Sequence, residues 1–320
     1  MGRALILYVK EVSYPILAAF GFPANILTAA ILYRGKCGLT KGITRYMVAM
    51  AMSGLLVIIF HVLLQGIYGY YNPNSFLSLS AVCPSDVYLR IVTLDYSVWL
   101  TVSFTFDRFV SICCPKLRLT YCTDRTAVTV IVSMCALSCI KYIPFQFMYE
   151  PRFTKDNVNW GCWPRPAYLT SIWWIMFSWM CSISLSFLPF LLILFFNGLT
   201  VRNMVAASRV RRRLKGNDTE AENRRKSMVL LFTVSGVYIL LWTTETVTFV
   251  CTRVTVSPAD GNHTSPSYIA NEVGVLLIYV NSCANTCIYG MTQKKFRQEV
   301  KNAISHVTRC LSHLLKLVRM

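Results

Sequence analysis

DYSVWLTVSFTFDRFVSICCPKLR fills residues 95–118. No charge lies between Asp95 and Asp107, and the run closes on Asp107 next to Arg108, then a proline and more basic residues. Such a pair is a salt bridge at a helix end, a catalytic couple or a latch. The rest of the chain decides between them.

Outward from this stretch, the chain is dominated by similar runs. Residues 12–32, 46–67, 169–199 and 273–291 hold no charged side chain. Residues 82–114, 127–147 and 228–250 are equally apolar but carry internal charges, Lys141 and Glu245 among them. A span needs roughly 20 apolar residues, and backbone in lipid must be helical or a closed barrel. The runs are far longer than the ~10 residues of a barrel strand and show no alternation at period two. The expected fold is all-α: a seven-helix membrane bundle in one domain over residues 1–320. Its spans are expected near 12–34, 46–68, 82–114, 127–149, 169–203, 228–252 and 270–291, with an amphipathic helix and tail over 293–320.

Composition agrees. Of 320 residues 55% are hydrophobic and only 14% charged, too few to coat a soluble domain of this size. The 32 basic and 14 acidic residues give a net charge of +18. Such an excess suits nucleic acid only when it lies on a soluble surface. Here it gathers in alternate connections: Arg34, Lys36, Lys41 and Arg45 after the first span, Lys116, Arg118 and Arg125 after the third, the ASRVRRRLKGNDTEAENRRKS link after the fifth, and the tail. Positive-inside counting puts the N-terminus outside and the C-terminus in the cytoplasm, so the basic side chains face anionic lipid and not nucleic acid.

Other classes fall away in turn. The sequence has no Walker-type loop, no HExxH and four histidines, so no enzyme, cofactor or metal site is expected. His61 reads as a packing residue or, less simply, a ligand contact. A transporter would show paired repeats and broken helices, and a channel a filter or charged ring. No lysine stands in residues 273–291 to bind retinal. The start, MGRALILYV, lacks a cleavage site, and Ile6 breaks the myristoylation pattern that Gly2 suggests.

Most of the thirteen cysteines lie in spans or at their inner ends, where the thiol is a small apolar group. Cys83 and Cys162 fall on the outer, oxidising side. They form either a bridge across the bundle mouth or two free thiols. Asn262 opens an NHT sequon in the outer loop after the sixth span, whereas the NDT at Asn217 would be cytoplasmic. Cys310, in a basic amphipathic stretch, is a candidate palmitoylation site.

SFTFDRFVSICCPKL (103–117) resembles the Asp-Arg-Tyr signature of rhodopsin-like G-protein-coupled receptors, with Phe109 at the tyrosine position. NSCANTCIYGMTQKKFRQEV (281–300) resembles their Asn-Pro-x-x-Tyr motif and eighth helix through Asn285, Tyr289 and Phe296. Asn25, Pro189 and Trp242 resemble the marker residues of the first, fifth and sixth helices, in order. Residues 98–127 and 187–204 are most similar to the branch holding G-protein coupled receptor 139 and its relatives. That resemblance implies a heterotrimeric G protein, largely of the Gq/11 class, as partner. It implies arrestin as a further partner, membrane lipid as surroundings, the plasma membrane as location, and a small molecule such as an aromatic amino acid, or a short peptide, as ligand. Asp107, Arg108, Asn197, Trp242, Asn285 and Tyr289 would form the coupling and activation switch, Asp107 holding Arg108 at rest.

The same resemblance places a ligand pocket on the outer side. Arg90, Leu94 and Asp95 would come from the third helix, Phe177 and Cys181 from the fifth, Glu245 and Phe249 from the sixth, and Asn271, Val275 and Tyr279 from the seventh. Arg90 and Glu245 either grip a ligand or neutralise each other; Asp95 either joins them or faces the fourth and fifth helices. Departures from the family pattern stand beside these matches. Gly54 replaces an aspartate that binds sodium in relatives, leaving Ser97, Asn281, Ser282 and Asn285 without a carboxylate, so no sodium site is expected. Thr244 and Thr286 replace prolines of the sixth and seventh helices. These three changes leave open a receptor-like protein with weak or altered coupling.

Overall fold

The computed structural model describes residues 5–35, 37–211, 218–254 and 265–318. Helix α1 (Leu5–Tyr33) is followed by α2 (Lys41–Val57), which continues without a break as a π-helix over Ile58–Gly69. Next come α3 (Cys83–Cys113), the short α4 (Pro115–Tyr121) and α5 (Asp124–Tyr142), which tightens into a 3₁₀ stretch at Ile143–Phe147. Four small strands follow: β1 (Tyr149–Glu150), β2 (Phe153–Lys155), β3 (Val158–Trp160) and β4 (Trp163–Pro164). The chain resumes as α6 (Pro166–Thr170), α7 (Ile172–Ser182), a π stretch at Ile183–Phe187 and α8 (Leu188–Arg211). It ends in α9 (Asp218–Val254), α10 (Pro266–Thr292) and α11 (Lys294–Val318).

Among the described residues six helical segments are long and apolar enough to cross a membrane: Leu5–Tyr33, Lys41–Gly69, Asp124–Phe147, Ile172–Ala206, Met228–Thr248 and Tyr268–Thr292. Helix α3 is the seventh. It is 31 residues long but carries Asp86, Arg90, Asp95, Asp107 and Arg108, so composition alone undercounts it. It packs against α2, α5, α8 and α9. That central place lets its charges find partners inside the bundle, the condition for charge at membrane depth.

In lipid, helices associate by close packing and hydrogen bonds more than by hydrophobic burial. Gly54 of α2 shows this. A Cβ there would lie 2.8 Å from the Ser282 carbonyl oxygen of α10 and 3.1 Å from Asn25 Oδ1 of α1. Glycine permits the approach, and Asn25 Nδ2 donates to Ser282 O at 3.1 Å and to Gly21 O at 2.9 Å. One turn along, the Thr28 and Thr286 hydroxyls meet at 2.8 Å, and Thr286 Oγ1 donates to Ala24 O at 3.2 Å. The threonine in the proline position thus ties α10 to α1. Arg45 and Asp124 join α2 to α5 at 3.0 Å.

Two apolar clusters run along the bundle axis. One, around Tyr46, Leu100, Phe104, Leu230, Tyr289 and Phe296, lies at the Asp107 end. The other, around Val57, Val98, Ile193, Tyr238, Trp242 and Tyr279, fills the middle. At the opposite end β2 and β3 form a hairpin, pairing Phe153 with Trp160 and Lys155 with Val158. Its two-residue loop, Asp156 and Asn157, has φ of 51° and 57°. Both fit the left-handed turn that matches strand twist. A bridge from Leu79 to Trp160 and a disulfide from Cys83 to Cys162 fasten this loop over the bundle mouth.

Several helices do not end where the sequence places the spans. Helix α1 begins at Leu5 and not near residue 12, because Lys10 pairs with Glu272 of α10 at 2.7 Å and so sits inside the helix. The fifth span starts at Ile172, since extended Ser171 separates it from α6. Helix α9 starts at Asp218, and its apolar part begins at Met228, where the sequence places the sixth span. The sequon at Asn262 lies outside the described residues, as do the side chains of Phe249 and Cys310.

Candidate functional site

At one end of the bundle, α3 presents Asp107 and Arg108, both buried. Arg108 Nε donates to Asp107 Oδ2 at 3.0 Å, and Arg108 Nη2 donates to the same oxygen. The Phe104 ring lies 5.9 Å from the guanidinium, with Tyr46 edge-on behind it. Next to the pair, Cys122 Sγ donates to the Asp107 carbonyl at 3.6 Å. Burial, then the Asp107 carboxylate, push the Cys122 thiol up to about 11. Phe109 stacks on Phe196 of α8 at 5.7 Å, one residue before Asn197. Asn197 Nδ2 donates to Ile193 O at 2.9 Å, while its Oδ1 is buried with no partner among the described residues.

Asn285 is buried on α10, and one turn on, Tyr289 is fully buried. The Tyr289 hydroxyl contacts Met50 Sδ at 3.9 Å, and its ring meets Phe296 of α11 at 6.0 Å. On α9, Trp242 stacks on Tyr238 at 5.3 Å. This helix carries a row of buried polar atoms that lack partners among the described residues: Ser235 Oγ, Tyr238 OH, Trp242 Nε1, Glu245 Oε2 and Thr246 Oγ1. An unsatisfied buried polar group costs about 1–3 kcal/mol.

Nearer the disulfide end the residues expected to line one pocket divide into groups. Arg90 Nε pairs with Asp86 Oδ2 on its own helix at 3.0 Å, and not with Glu245. Glu245 instead packs closely against α10: a Cβ at Gly274 would fall 2.7 Å from Glu245 Oε2 and 3.1 Å from Glu245 Cα. Asp95 does not join either residue. It accepts from Ser138 Oγ at 2.7 Å, Lys141 Nζ at 2.5 Å and Tyr142 OH at 3.2 Å, and Lys141 also reaches Ser184 Oγ at 3.0 Å. Asp95 thus faces the fourth and fifth spans. Cys181 is buried beside Tyr142 and Val92, and Phe177 packs on Phe145 at 5.8 Å.

Leu94 packs against the middle cluster, as do Val275 and Tyr279. Asn271 is exposed, and the neighbouring Glu272 turns inward in its place. His61 is satisfied twice, at 3.1 Å from the Tyr279 hydroxyl and 2.9 Å from the Arg90 carbonyl. A neutral ring that donates from Nε2 and accepts at Nδ1 meets both partners. Asp86 and Glu272 are residues that sequence reasoning passed over, and Lys141 was read as a charge within a span without a partner assigned. Lys141 stood out as a lone charge in an apolar run, but its partner Asp95 lies 46 positions away.

The sequence profile of the 7 transmembrane receptor (rhodopsin family) matches residues 24–289. The chain belongs to that family. The match begins just before Asn25 and closes on Tyr289, so it contains every residue that the sequence resemblance assigns to a switch. The receptor is similar to galanin receptor 2a of Danio rerio, with 22% identity over 294 residues, covering 90% of this chain and 76% of that protein. It is accordingly a multi-pass membrane receptor of the rhodopsin class, acting through a G protein and not as an enzyme.

Proposed function

We propose that this receptor carries a signal from a small-molecule or short-peptide ligand outside the cell to a G protein of the Gq/11 class, with its C-terminus in the cytoplasm of the plasma membrane. The observation that carries the reading is the buried Asp107–Arg108 pair under Phe104. A guanidinium in this setting needs a counter-charge, and Asp107 supplies one on the same helix. Displacement of α9, which covers the region through Leu230 and Val234, would free Arg108 to meet the carbonyl end of a partner helix. Asn197, Trp242, Asn285 and Tyr289 complete the switch in this proposal.

The ligand would enter from the disulfide end. Glu245 accepts its amine, Arg90 takes a carboxylate or carbonyl, and Leu94, Val275 and Tyr279, which pack at the middle cluster, shape the site. The branch of G-protein coupled receptor 139, with aromatic amino acids as ligands, is the finer assignment we favour from residues 98–127 and 187–204. Similarity to a galanin receptor at 22% identity supports the receptor class and is neutral on the ligand.

Calcium recording in cells given aromatic amino acids and short amidated peptides tests this reading. Arg108→Ala is expected to abolish the response at matched surface expression, and a wild-type response from it would overturn the switch. Glu245→Gln is expected to weaken amine-bearing agonists by roughly 1.5–3 kcal/mol. Equal losses for agonists with and without the amine would remove Glu245 from the contact. A second reading, weak coupling, draws on the Thr286 and Gly54 contacts that bind α10 to α1 and α2. A receptor at the surface that stays silent with every G protein would favour it.

A further inference from the structure

Both partners described for Arg108, Asp107 and the Phe104 ring, lie on its own helix. Contacts within one helix hold a side chain, but they cannot set which way that helix faces. At the end of α3 that task falls to two other residues. Phe106 and Phe109 flank the charged pair, three positions apart and so on one face. At about 3.6 residues per turn, that face lies roughly opposite Asp107 and Arg108. Burial agrees, since the charged pair is buried and both rings are half-buried. Both rings meet one ring from another helix, Phe196 of α8. Phe106 lies 5.1 Å from it, and Phe109 lies 5.7 Å from it with planes 29° apart. Phe106 also meets Tyr121 of α4 edge-on at 5.3 Å. Next in the chain, Cys122 donates its thiol to the Asp107 carbonyl at 3.6 Å.

We infer that Phe196 is a positioning residue for coupling: its ring seats Phe106 and Phe109, and so turns Asp107 and Arg108 toward the inside of the bundle. This rests on the reading that Arg108 meets the G protein. The Asp107–Arg108 bond is indifferent to rotation of α3, because both of its ends turn together. The ring contacts are not, because Phe196 stands on α8. Aromatic pairs hold a preferred geometry through their faces and edges. An aliphatic side chain at 196 would fill part of the space without offering a face to Phe109. The same seat fastens α4. Tyr121 rests on Phe106, and Cys122 then closes back on the Asp107 carbonyl, so the contacts form a loop around the charged pair. Phe195, one position earlier, supplies the contrast. It is 58% exposed, and the ring contact described for it is to Phe196 and not to α3.

Two readouts on the full, ligand-free receptor in lipid nanodiscs test the seat. The first is maleimide labelling of Cys122, followed by peptide mass spectrometry. Burial, then the Asp107 carboxylate, hold this thiol up at about 11, so it labels slowly while the loop of contacts is closed. The second is nucleotide exchange on a purified Gq heterotrimer. Phe196→Ala is expected to label Cys122 several-fold faster. It is also expected to lower exchange by roughly three- to tenfold, the scale on which residues away from both partners alter coupling. Phe196→Tyr, which keeps the ring, should restore both readouts. Phe195→Ala removes the same side chain one position away and should match wild type in both. Should Phe196→Ala fail to fold, Phe196→Leu carries the same expectations, since it keeps apolar bulk without a ring. Unchanged labelling in the Phe196 variant, unchanged exchange despite faster labelling, no rescue by tyrosine, or equal effects from Phe195→Ala would each overturn the inference. A wild-type receptor that drives no exchange would count against the proposed function, and labelling alone would then decide whether Phe196 seats α3.

Discussion

Asp95 holds three donors around one carboxylate, 1% exposed, and its cationic partner is Lys141. Apart, either charge would be costly at this depth, about 2.5–3.5 kcal/mol on insertion scales. Together they also bind α5 to the fifth span through Ser184. Removing one partner of a buried pair typically costs about 3–5 kcal/mol, whereas replacing both with apolar groups is often nearly neutral. Lys141→Met is therefore expected to lower the unfolding temperature in detergent more than the double change Lys141→Met with Asp95→Leu. A double variant that simply sums two single losses would show that the two charges do not act as a unit. The same logic explains why the pair was only half legible. Sequence exposes a charge in an apolar run, and spacing on one helix can bring Asp86 and Arg90 together, four residues apart. Which helix faces which decides the rest, and no local spacing encodes that.

At the scale of elements, apolar run length located the seven helices, because lipid leaves the backbone no other choice. Their ends were less legible, since the run stops at a charge while the helix need not. Lys10 sits inside α1 because Glu272 waits on another helix. The β2–β3 hairpin lies in a polar loop, where adjacent Asp156 and Asn157 between short β-prone stretches were its one signal. Gly54 was read as a missing charge, but its physical role is proximity. It lets the Ser282 carbonyl and Asn25 approach α2, and both nearest atoms are hydrogen-bond acceptors. Gly54→Asp is thus expected to lower the unfolding temperature, as its carboxylate would crowd two oxygens, and added sodium should not restore it. Sodium-dependent recovery of this variant in a thermal-shift assay would show that space for the ion exists after all.

The whole molecule is a bundle with two differently built ends. One is fastened by the Cys83–Cys162 bond, the hairpin and the Lys10–Glu272 pair; the other closes on the buried Asp107–Arg108 pair. Cys83→Ser and Cys162→Ser are each expected to lower folding yield, and the double variant to be little worse than either, since both break one bond. Clearly additive losses would mean that the two thiols act separately. The proposed orientation rests on charge: the connections at the Asp107 end carry Lys116, Arg118 and Arg125 with few acids, a pattern typical of cytoplasmic loops. Two sequons turn that orientation into a measurement. Asn262 follows the sixth span on the disulfide side, and Asn217 lies between the fifth and sixth on the other. Only a sequon that enters the lumen during synthesis can receive a glycan. Endoglycosidase treatment of the receptor from cell membranes is expected to shift its gel mobility, Asn262→Gln to abolish that shift, and Asn217→Gln to leave it unchanged. A glycan on Asn217 would invert the bundle and put Arg108 on the outside, where no G protein could reach it.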